Sequence, residues 1–411
     1  MANTIATSSW VTKEVARGFV NSVVFLANVN RSYDDQYKQA GARVGNTVNA
    51  RLPQRFTVTD GQALSLQNIL DETVPITLTN QKNVAFGWSS AEETTELDNV
   101  RARYVQPGAD ALANAADVLA FDNVYQDIYS AVGAPGTTTS TTLAYFQAGV
   151  KLTDLGTPMR GRVGMLDPLA MITIANTVSQ IFNPQGTQSA NYRTGQFGSE
   201  QLGVQEWFQD QNRPVHTTGT FTASTPLVNG AAQTGASLIT DGWASGATTL
   251  NKGDIFTVAG VFSVNPTSYR STGRLQQFVV TATISDTSGD MTVAISPSII
   301  TSGQLQTVNA APADGAVITV LGATSASGGT LATTASPQSF VYHPDAFAFV
   351  MADLAKPGAG AKSSVARSKE YGFSIRMVEQ YQIGSDQNPS RLDILIGAAT
   401  LQARLACRVM G

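Results

Sequence analysis

The sequence contains few of the residues from which metal and nucleophilic sites are built. Its 411 residues include one cysteine, Cys407, and two histidines, His216 and His343. A single cysteine excludes a disulfide within the chain, which fits synthesis in a reducing compartment. A zinc site needs about four clustered ligands, which these three distant residues do not provide. We therefore expect no metal and no cofactor.

Charge is also scarce. Asp, Glu, Lys and Arg make up 14% of the chain and the net charge is −4, whereas charged residues usually make up about a quarter of a protein. A protein that grips nucleic acid needs a basic face, so this class is disfavoured, although a container that encloses nucleic acid is not. A sparsely charged surface suits a protein that is covered by copies of itself.

No apolar run is long enough to span a bilayer. The longest candidate, residues 19–29, is too short and is interrupted by Asn21, Ser22 and Asn28. Residues 1–10 lack the basic and apolar pattern of a secretory signal. We therefore expect a soluble chain that is not exported and does not contact a membrane.

Motifs of catalytic sites are missing as well. There is no G-x-S-x-G sequence, and residues 358–363 depart from a phosphate loop because Ala361 separates glycine from lysine. The carboxylate pairs at 34–35 and 92–93 are adjacent in sequence, so their side chains point in different directions and are interpreted as solvated. His343, which precedes a Pro-Asp pair, is interpreted as a loop or cap residue. The sequence does not predict an enzyme.

The feature that organises the sequence is the segment 217–335. It is rich in Thr, Ser, Gly and Ala and contains no Glu, whereas its flanks carry helical patterns and most of the arginines. Strand-like runs at 255–264, 277–284, 291–295 and 316–321 are separated by turn signals, which favours a β-sandwich or barrel. We therefore expect an all-β domain inserted into a mixed α/β protein, an organisation that points to assembly rather than catalysis. Its charged residues are Asp241, Lys252, Asp254, Arg270, Arg274, Asp286, Asp290 and Asp314.

The flanks carry four further patterns. Residues 11–29 have helical spacing, which fits either a helix in an N-terminal arm or a helix that packs on its own domain. The segment from Val44 to Trp88 predicts a long two-stranded hairpin with a turn at Asp60, and a hairpin alone is only marginally stable. It must rest on its own domain or on a neighbouring subunit. Residues 109–131 predict a helix of about 37 Å, and 401–409 a final strand.

Five segments, in this order along the chain, resemble the major capsid (coat) proteins of tailed bacteriophages, in particular the subgroup with an inserted immunoglobulin-like β domain. The resemblance covers nearly the whole chain. The segments that carry it are 102–114 at the entry to the long helix, 252–260 in the insertion, and 373–377, 391–397 and 401–409 near the end.

The fold that this resemblance implies is α+β, the major capsid fold shared by tailed phages and herpesviruses, with an inserted all-β domain. It implies an N-terminal arm, an extended hairpin loop, a peripheral domain with a spine helix, and an axial domain. The implied boundaries are 1–46 for the arm, 47–88 for the hairpin, 89–135 and 375–411 for the peripheral domain, 136–216 and 336–374 for the axial domain, and 217–335 for the insertion.

The function implied by the resemblance is a virion capsid protein that self-assembles as hexamers and pentamers into an icosahedral shell. The implied partners are a separate scaffolding protein, a portal protein and enclosed double-stranded DNA, which the shell would hold without sequence-specific binding; a decoration protein is a further partner that the resemblance allows. The chain would be made in the cytoplasm of the bacterial host. The alternatives are another phage structural protein, such as a tail tube or surface adhesin, and an enzyme with a β accessory domain.

Intersubunit contacts are expected on the hairpin and around the helix entry. Some members of the family cross-link a hairpin lysine to an asparagine, but no glutamate-centred site accompanies Lys82 here, so a cross-link is not predicted. The residues that we expect to contact neighbouring subunits are Arg51, Arg55, Asp60, Lys82, Arg101 and Arg103.

Overall fold

The structure, a computed structural model, describes residues 23–32, 47–58, 61–62, 66–89, 106–137, 139, 142–179, 203–325, 329–358, 361–367 and 373–411. Its α-helices within these ranges are α1 (Gln106–Val124), α2 (Thr142–Asp154) and α3 (Pro168–Ser179). Single 3-10 turns lie at Leu26–Asn28, Tyr125–Asp127, Pro344–Ala346 and Ala403–Leu405.

Strands dominate the described part of the chain. They are β1 (Thr47–Arg51), β2 (Thr73–Thr77), β3 (Asn80–Ser89), β4 (Ala131–Val132), β5 (Val163–Leu166), β6 (Glu206–Gln209), β7 (Val215–Thr217), β8 (Phe221–Ser224), β9 (Leu227–Val228), β10 (Gly235–Asp241), β11 (Thr249–Leu250), β12 (Ile255–Val264), β13 (Ser271–Val280), β14 (Ile284–Ser285), β15 (Met291–Ile299), β16 (Ile318–Val320), β17 (Gly329–Leu331), β18 (Ala335–Tyr342), β19 (Phe347–Ala352), β20 (Lys362–Arg367), β21 (Ser374–Glu379), β22 (Gln387–Thr400) and β23 (Ala406–Met410).

The chain divides into two compact units. The first comprises the described residues of Met1–Ala50, Thr73–Phe121 and Phe347–Ala399. The second comprises those of Arg51–Glu72, Asp122–Ala346 and Thr400–Gly411. Each unit is therefore built from segments that are far apart in the sequence.

The first unit is organised by the long strand β22. It pairs with β21 on one side and with β19 and β3 on the other, and β20 completes a five-stranded sheet. Residues 23–30 pack on this unit, since the ring of Phe25 stacks on that of Phe121 in α1 at 4.1 Å between centroids. The buried carboxylate of Asp117 accepts hydrogen bonds from the backbone N–H groups of Val24 and Leu26.

The second unit contains a six-stranded mixed sheet covered by helices. The order is β4-β23-β18-β5-β6, with β7 also paired to β18. Tyr145 and Leu152 of α2 and Met171 of α3 are buried in one cluster with Val341 of β18 and Cys407 of β23. These apolar side chains fix both helices against the sheet because their burial removes the largest apolar areas from water.

A closed barrel is formed by the six strands β9, β10, β12, β13, β15 and β16. The antiparallel order is β16-β12-β13-β15-β10-β9, and the two outer strands meet, since the N–H of Ile318 donates to Pro226 O at 2.9 Å and the N–H of Val228 donates to Ala316 O at 3.0 Å. Closure leaves this sheet without an unpaired edge. The barrel is one of the two architectures predicted for the segment, and the immunoglobulin-like domain implied by the resemblance is not confirmed.

The barrel segment leaves and re-enters the mixed sheet of the second unit at adjacent points. Thr217 of β7 pairs with Ala335 of β18 in antiparallel register. The segment between them can be accommodated without separating the strands that flank it. The boundaries 217–335 stay a prediction, which this pairing supports.

Most predicted elements within the described residues are confirmed. Strand β12 has the predicted bounds 255–264. The long helix is shorter than predicted: α1 has 19 residues, about 28 Å. It stops because Ala131 and Val132 pair in parallel with β23, and that ladder uses the backbone groups that further helical turns would need.

Three predictions are corrected. Residues 80–89 form β3 and pair with β22 over ten residues, so they do not continue the two-stranded hairpin; this ladder satisfies more backbone groups than an isolated ribbon would. The helix expected over 11–29 is a single 3-10 turn in its described part, where Asp117 takes the N–H groups. The strand expected over 401–409 starts at Ala406, because the N–H groups of 401–402 both donate to Ala346 O.

The division into units differs from the expected peripheral and axial domains in two places. Residues 347–374, expected in the axial domain, contribute β19 and β20 to the sheet of the first unit. Residues 400–411, expected in the peripheral domain, contribute β23 to the sheet of the second unit. The expected domain names therefore remain predictions for this chain.

The barrel core predicts independent folding of residues 217–335. Its buried cluster draws on strands β8 to β17 alone, and Phe256 and Phe278 pack at its centre with rings 5.8 Å apart. The fragment expressed alone should show a cooperative, β-type unfolding transition by circular dichroism. Phe278→Ala in the fragment should cost about 3–5 kcal/mol of unfolding free energy. A disordered fragment would refute the prediction.

Candidate assembly surface

Residues 51–72, which we call the hairpin loop, extend from the short sheet formed by β1 and β2. The ladder continues one step into the loop, where the N–H of Leu52 donates to Glu72 O at 2.9 Å. Further along, the amide of Gln54 donates to Asp71 Oδ1 at 2.8 Å. The two sides of the loop are thus tied by polar contacts near its base.

The hairpin loop rests on turns of the barrel in its own unit. Gln67 bridges the loop, because its side chain accepts from Thr57 N–H and donates to Thr57 O. The same Gln67 oxygen accepts from Gln304 Nε2 at 3.0 Å, and the Tyr269 hydroxyl lies 3.0 Å from Gln304 O and 3.5 Å from Phe56 O. The platform that the hairpin needs is therefore partly its own subunit, through polar contacts.

The apolar side chains of the hairpin loop remain exposed. Phe56 is 59% exposed, Val58 94% and Leu66 86%, and Ile69 and Leu70 are also exposed. Scattered exposed apolar residues are normal, but five within 15 residues form a patch of the kind that marks a protein contact. A second copy of the chain can bury this patch.

A second apolar surface lies on the helices of the second unit. Leu143, Phe146 and Val150 are exposed on α2, and Leu169 and Ile172 are exposed on α3. The spacing i, i+3, i+7 on α2 places its three side chains on one face, opposite the face that Tyr145 and Leu152 bury. The sequence carried this signal, because α2 is apolar on two faces, a pattern that one covering sheet does not explain.

Three of the six predicted contact residues lie within the described residues, each in a different local setting. Arg51 is exposed at the end of β1, Arg55 is half-buried in the hairpin loop, and Lys82 is exposed on β3, where it pairs with Ile394. Asp60, Arg101 and Arg103 lie outside the described residues. Lys82 is thus placed in a sheet rather than at the end of the hairpin.

A buried ionic cluster joins the barrel to the sheet of the same unit. Asp254, which follows the barrel turn at 251–253, is 3% exposed. Its carboxylate accepts from the Nε2–H of His216 at 2.9 Å and from the backbone N–H groups of Gly219 at 3.0 Å and Asn251 at 2.7 Å. Gly219 has no room for a side chain, since a Cβ would lie 2.1 Å from Thr249 O.

Arg408 of the last strand completes the cluster. Its guanidinium is fully buried and donates from Nη2 to Gly253 O at 2.7 Å. Burial lowers the pKa of Arg408 to about 10, and the negative charge of Asp254 opposes that shift. Asp254 therefore supplies the main compensating charge for a buried cation. Sequence reasoning missed the pair because 154 positions separate the two residues.

Within the described residues, no group of three or more His, Cys, Asp or Glu side chains could hold a metal ion. His343 is a cap, as predicted, since its ring Nδ1 accepts from the N–H of Asp345 and its carbonyl from that of Ala346. Lys362 begins a strand, whereas a phosphate-loop lysine opens a helix.

No helix in the ranges that the structure describes is both long and apolar enough to cross a bilayer.

Comparisons with known proteins agree with a shell component. A family model described as P22 coat protein, gene protein 5, matches residues 1–410. The chain is similar to a structure from Mycobacterium phage Che8 (16% identity, 94% of this chain and 90% of that chain covered, TM-score 0.45). It is also similar to the capsid of cyanophage P-SCSP1u (11% identity, 94% of this chain and 87% of that chain covered, TM-score 0.44). A further similarity is to the CUS-3 coat protein I-domain (29% identity, 25% of this chain and 98% of that chain covered, TM-score 0.19). Curated proteins give no match.

The family match defines the class of protein as a phage major capsid protein that self-assembles into an icosahedral shell and resides in the virion capsid. The described residues form an α+β fold that is rich in strands, as expected. Within this class, the match over residues 1–410 means that the chain belongs to the P22 coat protein family.

Removing the Asp254 carboxylate should destabilise the second unit strongly. Asp254→Ala leaves three donors unpaired and Arg408 buried without its main opposite charge. Breaking a buried pair in this way costs about 3–5 kcal/mol, measurable by urea unfolding of the subunit. Asp290→Ala is the matched control, because Asp290 is exposed and bonds to Thr287 through its backbone N–H and C=O, which the substitution keeps. Equal midpoints for the two variants would contradict the compensating role of Asp254.

Proposed function

We propose that the chain builds its shell from hexamers and pentamers, and that the hairpin loop makes a contact between neighbouring subunits. The observation that supports this is the set of five exposed apolar side chains at Phe56, Val58, Leu66, Ile69 and Leu70. Burial of apolar area is the dominant favourable term in association. Repeated heterologous contacts around a ring close into symmetric particles.

The shell is proposed to assemble around a separate scaffolding protein, with a portal protein at one vertex and double-stranded DNA inside. A net charge of −4 suits this role, because a mildly acidic wall does not hold the polyanion that moves along it. Synthesis in the cytoplasm of the bacterial host and binding of a decoration protein belong to the same proposal.

The chain is also proposed to have no enzymatic activity. Its chemistry is association, for which the exposed apolar side chains of the hairpin loop and of α2 are suited. Saturable turnover of a small molecule by purified subunits would contradict this part of the proposal.

Deletion of residues 60–70 tests the role of the hairpin loop. The deletion removes Leu66, Ile69 and Leu70, three of the five exposed apolar side chains, while leaving the barrel and both sheets intact. We expect a folded subunit with an unchanged circular dichroism spectrum that does not form closed shells. Negative-stain electron microscopy of the chain, alone and with its scaffolding protein, measures the outcome.

A point variant separates the contact from the length of the loop. Val58→Ser with Leu66→Ser should change subunit stability by no more than about 0.5 kcal/mol, as is usual for surface substitutions, and should reduce shell yield. Ile239→Ser, at an exposed apolar position on the barrel, is the control. Normal shells from both hairpin variants would reject the contact, and rods from the unaltered chain would favour a tube.

A further inference from the structure

A cavity of about 180 Å³ lies within the second unit. The base of the hairpin loop, the turn at Ala403–Leu405 and the ends of the barrel strands β12, β13 and β15 border it. We call it the arginine cavity because Arg55, from the loop, and Arg404, from the turn, both line it.

The arginine cavity carries positive charge without a compensating carboxylate. None of its described lining residues is Asp or Glu. The pKa of Arg404 is lowered, first by burial and then by the like charge of Arg55. Two guanidinium groups that repel each other cost free energy, so an anion placed between them is stabilised by both.

Several hydrogen-bond donors at the cavity have no acceptor within the described residues. Arg404 donates from Nη2 to Gln402 Oε1 at 2.8 Å and from Nη1 to Leu155 O at 3.3 Å, but its buried Nε has no partner. Arg55 makes no hydrogen bond or ion pair in the part of the chain that the structure describes. Burial raises the pKa of Tyr129, another lining residue, to about 12, so its hydroxyl keeps its proton at neutral pH. A buried donor without an acceptor costs about 1–3 kcal/mol.

These features define the ligand. The unpaired N–H and O–H donors need an acceptor, and the two arginines need a negative charge nearby. An anion with two or more oxygens supplies both. Arginine binds such anions with two parallel hydrogen bonds. The volume is about six times the roughly 30 Å³ that one water occupies in the liquid. A carboxylate with part of its side chain can enter.

We propose that the arginine cavity is an oxyanion-binding site, and that in the shell it takes the carboxylate of an Asp or Glu side chain from a second copy of the chain. The source of the carboxylate rests on the proposed role of the hairpin loop. Arg55 directly precedes Phe56, the first exposed apolar residue of the proposed contact, so the cavity and the contact are continuous. Acidic residues outnumber basic ones, 30 against 26, so copies offer carboxylates in excess.

The first arm of the test uses unassembled subunits and inorganic phosphate as the probe, at constant ionic strength, with binding followed by calorimetry. Phosphate should bind the unaltered chain, and Arg55→Gln or Arg404→Gln should weaken it at least about tenfold, because each removes charge-assisted hydrogen bonds. Arg270→Gln is the control, since Arg270 is exposed and does not line the cavity. Arg55→Gln changes a loop residue, so it remains informative if Arg404→Gln does not fold.

The second arm uses shells and distinguishes a neighbour's carboxylate from a free anion. Shells of Arg55→Gln should dissociate at a lower guanidinium chloride concentration than shells of the unaltered chain or of Arg270→Gln. Phosphate that binds all variants equally, or none, overturns the oxyanion site. Phosphate binding lost in the variant with shells of unchanged resistance overturns the second copy as the source. Neither result bears on the hairpin deletion, because phosphate binding by the subunit requires no shell.

Discussion

The structure of the second unit depends on strand β18 and the partners that it holds together. β18 pairs with β23 at the end of the chain, with β5, and with β7, which leads into the barrel. Its last three residues, Phe340 to Tyr342, are buried, so slipping the register would move a continuous apolar run off its neighbours. β18 pairs both with β7, which leads into the barrel, and with β23, the last strand. The inserted segment can therefore be long without separating the strands of the mixed sheet on either side of it. The cluster of Asp254, His216 and Arg408 forms at the same junction, where the buried cation of Arg408 depends on the negative charge of Asp254.

The barrel and the hairpin loop differ in whether their strand edges and apolar side chains are covered within the subunit. The barrel closes through the hydrogen bonds between 226–228 and 316–318, so its sheet has no free edge, and a cluster of apolar side chains is buried inside it. The hairpin loop keeps its apolar side chains outside and is tied to the barrel by the amides of Gln67 and Gln304 and the hydroxyl of Tyr269. Polar contacts of this kind contribute about 0.5–1.5 kcal/mol each, enough to position a loop while leaving its apolar surface for another chain. The arginine cavity lies where the two meet.

Composition and pattern identified the β-rich segment and the major elements correctly, because the period of apolar residues reports local structure directly. Strand β12 was predicted to the residue, and the capsid resemblance led to the right class of protein. The candidate site was predicted less well. Arg55 was named as a contact residue, but its pairing with Arg404 was not, and Lys82 was assigned to the wrong element. Separation in sequence is the reason: Arg55 and Arg404 are 349 positions apart, and no local pattern indicates that the turn at 403–405 approaches the hairpin.

The sequence by itself determined the β-rich character of residues 217–335, the bounds of β12, the absence of a disulfide within the chain, and the low charge that suits a surface shared among copies, because these follow from residue types and their spacing. Only the tertiary structure decided that the β segment closes as a barrel, that residues 80–89 join β22, and that residues 401–402 turn before the last strand begins. Each of those outcomes depends on which backbone N–H and C=O groups find partners from distant segments. Because the backbone N–H and C=O groups are nearly the same at every residue, the sequence does not show directly which groups will pair. The packing of side chains around them decides the pairing.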